Sequence, residues 1–150
     1  MSLVIGDMVT GWVARRTNEY GDFSASQAIG WERRGELVAG VVYAQWNGPN
    51  VVCHIASDGS KRWLTREYLW TIFDYPFNQM SVKRITVCIG EGNTDSRRFV
   101  RNLGFEEEAI HPEAHLTGAL ITYRMWRNNC RFLRAPYAEF SRPDLLRAAA

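Results

Sequence analysis

Apolar positions in the first third of the chain alternate or run together in short blocks, a pattern that predicts β-strands. The blocks SQAIGWERR (26–34) and LVAGVVYAQW (37–46) predict two strands joined by a tight turn, and NVVCHIAS (50–57) predicts a third strand. The preceding residues 3–16 are spaced for one face of a short helix, which two glycines weaken. The apolar residues of that face are Val4, Met8, Trp12 and Val13.

The second half of the chain alternates helical and strand patterns. The segment KRWLTREYLWTIFDYPF (61–77) predicts an apolar helix that Pro76 ends, and RITVCIG (84–90) is apolar on both faces, as a central strand should be. A short helix over 94–103 and a final strand, ALITYRMW (119–126), follow. Because a strand–helix–strand crossover requires parallel neighbours, the sequence predicts a mixed sheet with helices on its faces, an α+β or α/β fold.

Composition narrows the class of protein. The 150 residues are 46% hydrophobic with a formal net charge of +2, which predicts one ordinary globular domain over 1–133 and a C-terminal tail over 134–150. The basic residues are scattered, so neither nucleic acid nor a membrane surface is expected as a partner. Three widely spaced cysteines suit a reducing compartment, and no apolar run reaches membrane-spanning length, so we expect a cytoplasmic protein.

The helix over 94–103 has defined ends. Asn93 is a favourable N-cap, Asp95 complements the helix dipole, and Gly104 followed by Phe105 predicts a left-handed C-cap with its hydrophobic contact. Ser96 lies on the inward face, at helical spacing from the apolar residues Phe99, Val100 and Leu103. Its hydroxyl either completes the helix terminus or faces a ligand, because open sheets bind ligands beyond the carboxyl ends of parallel strands.

The pattern N-x-x-S-x-x-F-x-x-x-L-G-F over residues 93–105, preceded by the strand RITVCIG, resembles the GNAT superfamily of acyl-CoA-dependent N-acetyltransferases. The order of elements from about residue 26 to 126 is similar to that fold as well. The segment WLTREYLWTIFDYPFNQ resembles a bacterial and phage branch close to the ribosomal-protein N-acetyltransferases. The resemblance implies an enzyme that moves an acetyl group from acetyl-CoA to a primary amine by direct attack.

The resemblance also implies where acetyl-CoA would lie. The family's fourth and fifth strands splay apart, here 50–57 and 84–90, and the pantetheine arm pairs with backbone groups of the fourth strand near Ile55, Ala56 and Ser57. A backbone N–H of that strand would hold the thioester oxygen. The pyrophosphate would rest on the N-terminus of the 61–77 helix. The other residues expected to line the donor site are Lys61, Arg62, Trp63, Leu64, Asn93, Ser96 and Phe99.

The pyrophosphate loop departs from the family pattern Arg/Gln-x-x-Gly-x-Gly/Ala. This chain has SKRWLT over 60–65, in which Trp63 stands where a small residue belongs and would hinder the approach of the backbone to phosphates. Lys61 and Arg62 either compensate as cationic phosphate ligands or form a solvated charge pair at the helix start. If cofactor binding has been lost, the alternative function is a GNAT-shaped module that binds a protein partner.

The catalytic residues usual in the family that this chain resembles are only partly present. Where many members of the family have a tyrosine that protonates the departing thiolate, this chain has Val100, so Ser96 is the expected substitute, acting by a hydrogen bond. His54 is the candidate general base, because its ordinary pKa suits the role, although a core position would also explain it. Asp58, Glu32 or a chain of water molecules are the alternatives.

The remaining candidate residues do not identify a function by themselves. His111 and His115 are spaced i, i+4, but no third ligand is near in the sequence, so HPEAH (111–115) is interpreted as a polar loop and no metal site is expected. The resemblance implies that Tyr20 and Phe23 lie on the acceptor side of the cleft, where they either contact the amine or pack onto the sheet. The acceptor itself, a peptide N-terminus or a small amine, is left open, and the final strand at a sheet edge would allow a homodimer.

Overall fold

The computed structural model describes residues 1–17 and 26–140 as a seven-stranded mixed sheet with helices on both faces. The strand order is β1-β2-β3-β4-β5-β7-β6, and β4 with β5 is the only parallel pair among these described residues. The bounds are β1 Ser2–Ile5, α1 Asp7–Thr17, β2 Gln27–Arg33, β3 Glu36–Ala44, β4 Asn50–Ser57, α2 Arg66–Asp74, β5 Arg84–Gly90, α3 Thr94–Leu103, β6 Glu106–His115 and β7 Gly118–Trp126. The predicted α+β class and the strands over 50–57 and 84–90 are confirmed.

The first predicted helix is wrong at its start. Leu3 and its neighbours form β1, which pairs antiparallel with β2, and Gly6 at φ 115° turns the chain into α1. The residues that α1 buries are Val9 and Val13, whereas Met8 is 63% exposed. Pairing with the edge of the sheet therefore overrides the helical spacing at the N-terminus, because it satisfies a row of β2 backbone groups.

The helix predicted over 61–77 begins later and ends later. Thr65 caps α2, its hydroxyl accepting from the N–H of Tyr68 at 3.2 Å, so residues 61–64 precede the helix. Pro76 does not end the helical stretch, which continues as a π-helical turn over Tyr75–Gln79. Pro76 has no N–H to give to the carbonyl of Ile72, and the Tyr43 hydroxyl donates to that carbonyl instead, at 2.6 Å.

The interpretation of HPEAH as a loop is also wrong, because these residues end the ten-residue strand β6. That strand is almost entirely exposed and shows no apolar alternation, so its sequence gives no strand signal. It is held instead by pairing with β7 and by ion pairs: Arg84 with Glu108 at 2.5 Å and Arg124 with Glu106 at 3.1 Å. Consequently β7 lies inside the sheet, and the proposal of a dimer through an edge at 119–126 fails.

Two apolar layers cover the sheet. The larger layer lies under α2 and α3 and extends to Phe132 and Tyr137. The Phe132 ring stacks on the Phe73 ring, with 4.8 Å between the ring centroids. The described part of segment 134–150 therefore packs on this core at Tyr137; residues 141–150 lie outside the described part of the chain. The smaller layer lies under α1 and contains Val9, Val13, Ala28 and Val42. Within the described residues, no helix is long and apolar enough to cross a membrane.

The close approach of α1 to β3 depends on Gly40. A Cβ added at Gly40 would lie 2.7 Å from a methyl of Val13 and 2.9 Å from a methyl of Val9. We expect Gly40→Ala to lower the free energy of unfolding by roughly 1–3 kcal/mol, because the core methyls must move. Urea unfolding followed by circular dichroism measures this change. Gly92→Ala is the matched control, since nothing lies within 4 Å of that added Cβ, and equal losses in both variants would contradict the packing argument.

Candidate active site

The central feature of the site is a gap between β4 and β5. The two strands pair only at three positions, Asn50 with Arg84, Val51 with Ile85 and Val52 with Thr86. Beyond Val52 they separate, while β4 stays paired with β3 through Ser57 and β5 stays paired with β7 through Gly90. The facing edges of residues 53–57 and 87–90 therefore offer backbone N–H and C=O groups to a ligand lying between them. The predicted splay of these two strands is confirmed.

The residues of β4 expected at the donor site divide between the two faces of the sheet. Ile55 packs against the core under α2 and α3, and Ala56 packs against the layer under α1. Ser57 is half-buried at the end of the strand, where its hydroxyl accepts from the N–H of Gly59 at 3.2 Å. All three lie in the stretch of β4 that leaves β5, so the structure brings them together at the gap.

His54 lies level with the gap on the same strand face as Ala56, the face that α1 covers. Burial lowers the pKa of His54 to about 4, so the imidazole is neutral at pH 7. A neutral imidazole can accept a proton, but this low pKa makes it a weak base for an ammonium ion. The position fits both interpretations of His54, as a base at the cleft and as a histidine packed in the core.

The lowered pKa of His54 predicts a pH-dependent stability. Between pH 6.5 and about 4 the unfolded chain binds a proton that the folded chain does not, so the contribution of His54 disfavours folding increasingly as the pH falls through this window. We expect His54→Gln to lose less stability than the wild type between pH 8 and pH 5. Urea unfolding at both pH values measures this. The difference in stability between the variant and the wild type at pH 8 gives the effect of the substitution on packing alone. Parallel pH dependences would contradict the burial of a neutral histidine.

The start of α3 lies directly beyond the C-terminal end of β5. Asn93 caps the helix, its side-chain oxygen accepting from the N–H of Ser96 at 3.2 Å, and Gly104 ends it in the left-handed conformation at φ 112°. Both predicted caps are confirmed. Ser96 is half-buried and lies one turn before Phe99, which packs against the core. The structure thus places Asn93, Ser96 and Phe99 together on the helix that follows the gap.

The loop before α2 forms hydrogen bonds with itself. The N–H of Ser60 donates to the Asp58 carboxylate at 2.9 Å, the N–H of Arg62 donates to the Ser60 hydroxyl at 3.4 Å, and the N–H of Gly59 is used by Ser57. Two further N–H groups donate to carbonyls of the same loop, Leu64 to Lys61 at 3.2 Å and Thr65 to Trp63 at 2.8 Å. Most N–H groups of the loop expected to bind a pyrophosphate therefore already donate hydrogen bonds within the protein.

Asp58 organises this loop. Its carboxylate accepts from the Ser60 hydroxyl at 2.6 Å and from the Arg62 guanidinium at 2.8 Å. The hydrogen bond from Ser60 and the charge of Arg62 hold the pKa of Asp58 down to about 2, so Asp58 is a poor general base. Arg62 in turn already has an anionic partner, whereas Lys61 is exposed. The other alternative base, Glu32, lies on β2, two strands away from β4.

Trp63 is a core residue. Its side chain is only 3% exposed and contacts the Phe99 ring at 5.3 Å and the Tyr68 ring at 6.1 Å between centroids. It therefore joins the loop before α2 to the face of α3 that carries Ser96. Leu64, the next residue, is half-buried against the same core. The large indole therefore points into the core.

The residues present fit the two ends of acetyl-CoA unequally. The gap offers the extended strand edge that a pantetheine arm requires, and Ser96 lies on the helix beyond it. The pyrophosphate cradle does not fit as the loop stands, because its N–H groups are engaged and Arg62 is paired with Asp58. Of the two ends of acetyl-CoA, the pantetheine arm is the one that the described residues fit.

One part of the cleft was missed from the sequence. The turn between β6 and β7 folds onto the end of β5, where the His115 ring lies directly over Gly90; an added Cβ there would be 2.7 Å from the ring. Glu91 fixes the same turn, its carboxylate accepting from the N–H of Ala119 at 3.1 Å. Gly90 before a helix start was the available signal, because glycine in a strand often marks a close approach.

The remaining candidates have ordinary roles or lie outside the structure. His111 and His115 lie 3.4 Å and 3.2 Å from the hydroxyls of Thr122 and Thr117, and within residues 1–17 and 26–140 no group of three metal-ligating side chains gathers. The cysteines are free thiols, and burial raises the pKa of Cys130 to about 11. Tyr20 and Phe23 lie outside the described residues.

The strand order, the splayed parallel pair and the helix that follows it define the fold of the GNAT acetyltransferases. A variant of the spermidine N-acetyltransferase SpeG from Vibrio cholerae superimposes with a TM-score of 0.70 at 12% identity, covering 84% of this chain and 95% of that one. SpeG in complex with manganese ions gives 0.67 at 12% identity, covering 83% and 91%. A probable acetyltransferase gives 0.59 at 15% identity, covering 69% and 63%.

No known family model and no curated protein sequence matches the chain. At the identities of the solved structures, the likeness is one of fold. The closer resemblance to the ribosomal-protein N-acetyltransferases therefore stays a prediction.

Proposed function

We propose that the protein is an N-acetyltransferase that moves an acetyl group from a pantetheine thioester, of which acetyl-CoA is the usual form, to a primary amine. The observation that carries this proposal is the gap between β4 and β5, with the capped start of α3 directly beyond it. A sheet of seven strands with one interrupted pair exposes backbone groups that a purely structural domain would pair. The fold shared with acetyltransferases supports the same conclusion.

The proposed reaction divides between backbone and side chains. The neutral amine attacks the thioester carbonyl, and a β4 backbone N–H at the gap stabilises the oxygen as it gains charge. The carbon–sulfur bond then breaks, and Ser96 donates a hydrogen bond to the departing thiolate. The amine nitrogen loses its proton to His54 or to water that His54 orders, and the thiolate takes up a proton from solvent, so the products are an amide and a free thiol. His54 and Ser96 are the proposed catalytic residues.

The acceptor class is proposed from the structural neighbours. SpeG acetylates spermidine, so a small amine is the first class to test, and a peptide with a free N-terminus is the second. A cytoplasmic location fits both acceptors and the three free thiols.

A thermal-unfolding scan with and without excess acetyl-CoA tests donor binding, with ATP as the control for phosphate-driven binding. A donor at about 100 times its dissociation constant should stabilise the folded state by roughly 2.7 kcal/mol, which is a shift of several degrees. Release of free thiol on addition of spermidine or peptide then tests transfer. A protein that neither binds the donor nor releases thiol with any amine would not be an acetyltransferase.

The second candidate is a GNAT-shaped module that binds a protein partner and has no transferase activity. The observation in its favour is the loop over 58–65, whose N–H groups are bonded within the loop. This candidate predicts no thermal shift with any thioester. The intact gap at β4 argues for the enzyme, because loss of donor binding would leave no reason to keep it open.

A further inference from the structure

The two ends of the proposed donor site differ in how ready they are to bind. At the gap, β4 no longer pairs with β5 beyond Val52. At the loop over 58–65, the N–H group of Gly59 is held by the Ser57 hydroxyl at the end of β4, and those of Ser60 and Arg62 are held by side chains of the loop. A diphosphate would have to displace these bonds, and each displaced group would need a new partner.

The charges around the loop largely offset one another. The Arg62 guanidinium lies 2.8 Å from the Asp58 carboxylate, so the pair presents little net charge to an anion. The first turn of α2 carries Glu67, a carboxylate at the helix end that would otherwise favour phosphate, and the Thr65 hydroxyl already caps the N–H of Tyr68. Lys61 and Arg66 remain as exposed cations near the loop, so the engaged N–H groups, rather than the charge, make this a weak diphosphate site.

From this contrast, and resting on the proposed acetyltransferase function, we infer that the protein recognises its donor by the acyl-pantetheine arm and gains little from the nucleoside diphosphate. Acyl thioesters of pantetheine and of 4′-phosphopantetheine are then substrates of the same rank as acetyl-CoA. The shared chemistry is the extended arm with two amides, which pairs with a strand edge. Phosphopantetheine thioesters can be free molecules or can be attached to a carrier protein, and the experiment separates these sources.

The test compares kcat/KM for acetyl-CoA, acetyl-pantetheine, free acetyl-4′-phosphopantetheine and acetyl-phosphopantetheine on a carrier protein, each with a saturating amine. We expect the first three values to agree within tenfold. A preference for acetyl-CoA above tenfold over acetyl-pantetheine overturns the inference but leaves the proposed function intact. Absence of transfer from every donor overturns both. A carrier-bound donor more than tenfold better than the free thioester would identify a carrier protein as the source.

A variant tests the loop directly. In Asp58→Ala the N–H of Ser60 and the Arg62 guanidinium lose their internal acceptor and become available to a diphosphate. We expect the ratio of kcat/KM for acetyl-CoA to that for acetyl-pantetheine to rise at least fivefold. Asp7→Ala, at the first turn of α1, is the matched control and should leave the ratio unchanged. An unchanged ratio in both variants would overturn the role of the loop.

Discussion

Replacing Ser96 with alanine is expected to lower kcat by about 100-fold while the dissociation constant of the donor changes by less than about twofold. A hydrogen bond to a departing thiolate exists only once the carbon–sulfur bond is breaking, so its loss appears in turnover and not in binding. Proton-donating side chains typically contribute 10²–10⁴-fold, and about 100-fold, the lower end, suits a weakly acidic hydroxyl. Steady-state kinetics give kcat, and a thermal-shift titration gives the dissociation constant.

Thr94→Ala is the matched control for Ser96. Thr94 is a hydroxyl residue in the same first turn of α3 but is exposed, so its loss should leave kcat within about twofold. If Ser96→Ala keeps the wild-type rate, the thiolate role is excluded and the serine only completes the helix terminus. If both variants lose activity equally, the effect comes from the helix and not from the hydroxyl.

Replacing Trp63 with alanine is expected to lower the free energy of unfolding by about 3–5 kcal/mol, the usual cost of truncating a buried large aromatic residue. The indole is 3% exposed and contacts Phe99 and Tyr68, so its removal leaves a cavity between the loop before α2 and the helix α3. Urea unfolding followed by circular dichroism measures the loss.

Trp46→Ala provides the comparison, because Trp46 is 58% exposed in the turn between β3 and β4. We expect that substitution to cost about 0.5 kcal/mol or less. Similar losses at both positions would show that Trp63 is not part of the core. A stable Trp63→Ala variant with improved acetyl-CoA binding would instead indicate that the indole obstructs the diphosphate, as expected from the departure of residues 60–65 from the family pattern.

Elements whose own residues carry the signal were predicted well. The strand Asn50–Ser57 and the helix Thr94–Leu103 have the expected bounds, since apolar runs and capping residues are local properties. The pattern over 93–105 also led to the correct fold. Ile55 to Ser57 lie where β4 leaves β5, and Asn93 to Phe99 lie at the start of the helix that follows β5. That these residues bind a donor stays a prediction.

Elements that depend on distant partners were not predicted. Strand β6 exists because Arg84 and Arg124, from two other strands, hold its glutamates, and β1 exists because β2 has a free edge. The start of α2 was misplaced because Ser60 and Arg62, which precede it, are held by Asp58 in a loop rather than in a helical turn. Such long-range contacts and side-chain hydrogen bonds produce no periodic pattern of apolar residues in the sequence.

Among residues 1–17 and 26–140, the three residue pairs that join β4 to β5 are the only strand pairing between the two halves of the sheet. Strands β1 to β4 form one ladder and β5, β7 and β6 form the other, so amide protons beside the seam between them should exchange early. An extended arm bonded to both edges would act as an additional strand and slow that exchange in both ladders. Binding in the gap would therefore slow amide exchange in both halves of the sheet at once, although only three residue pairs join them.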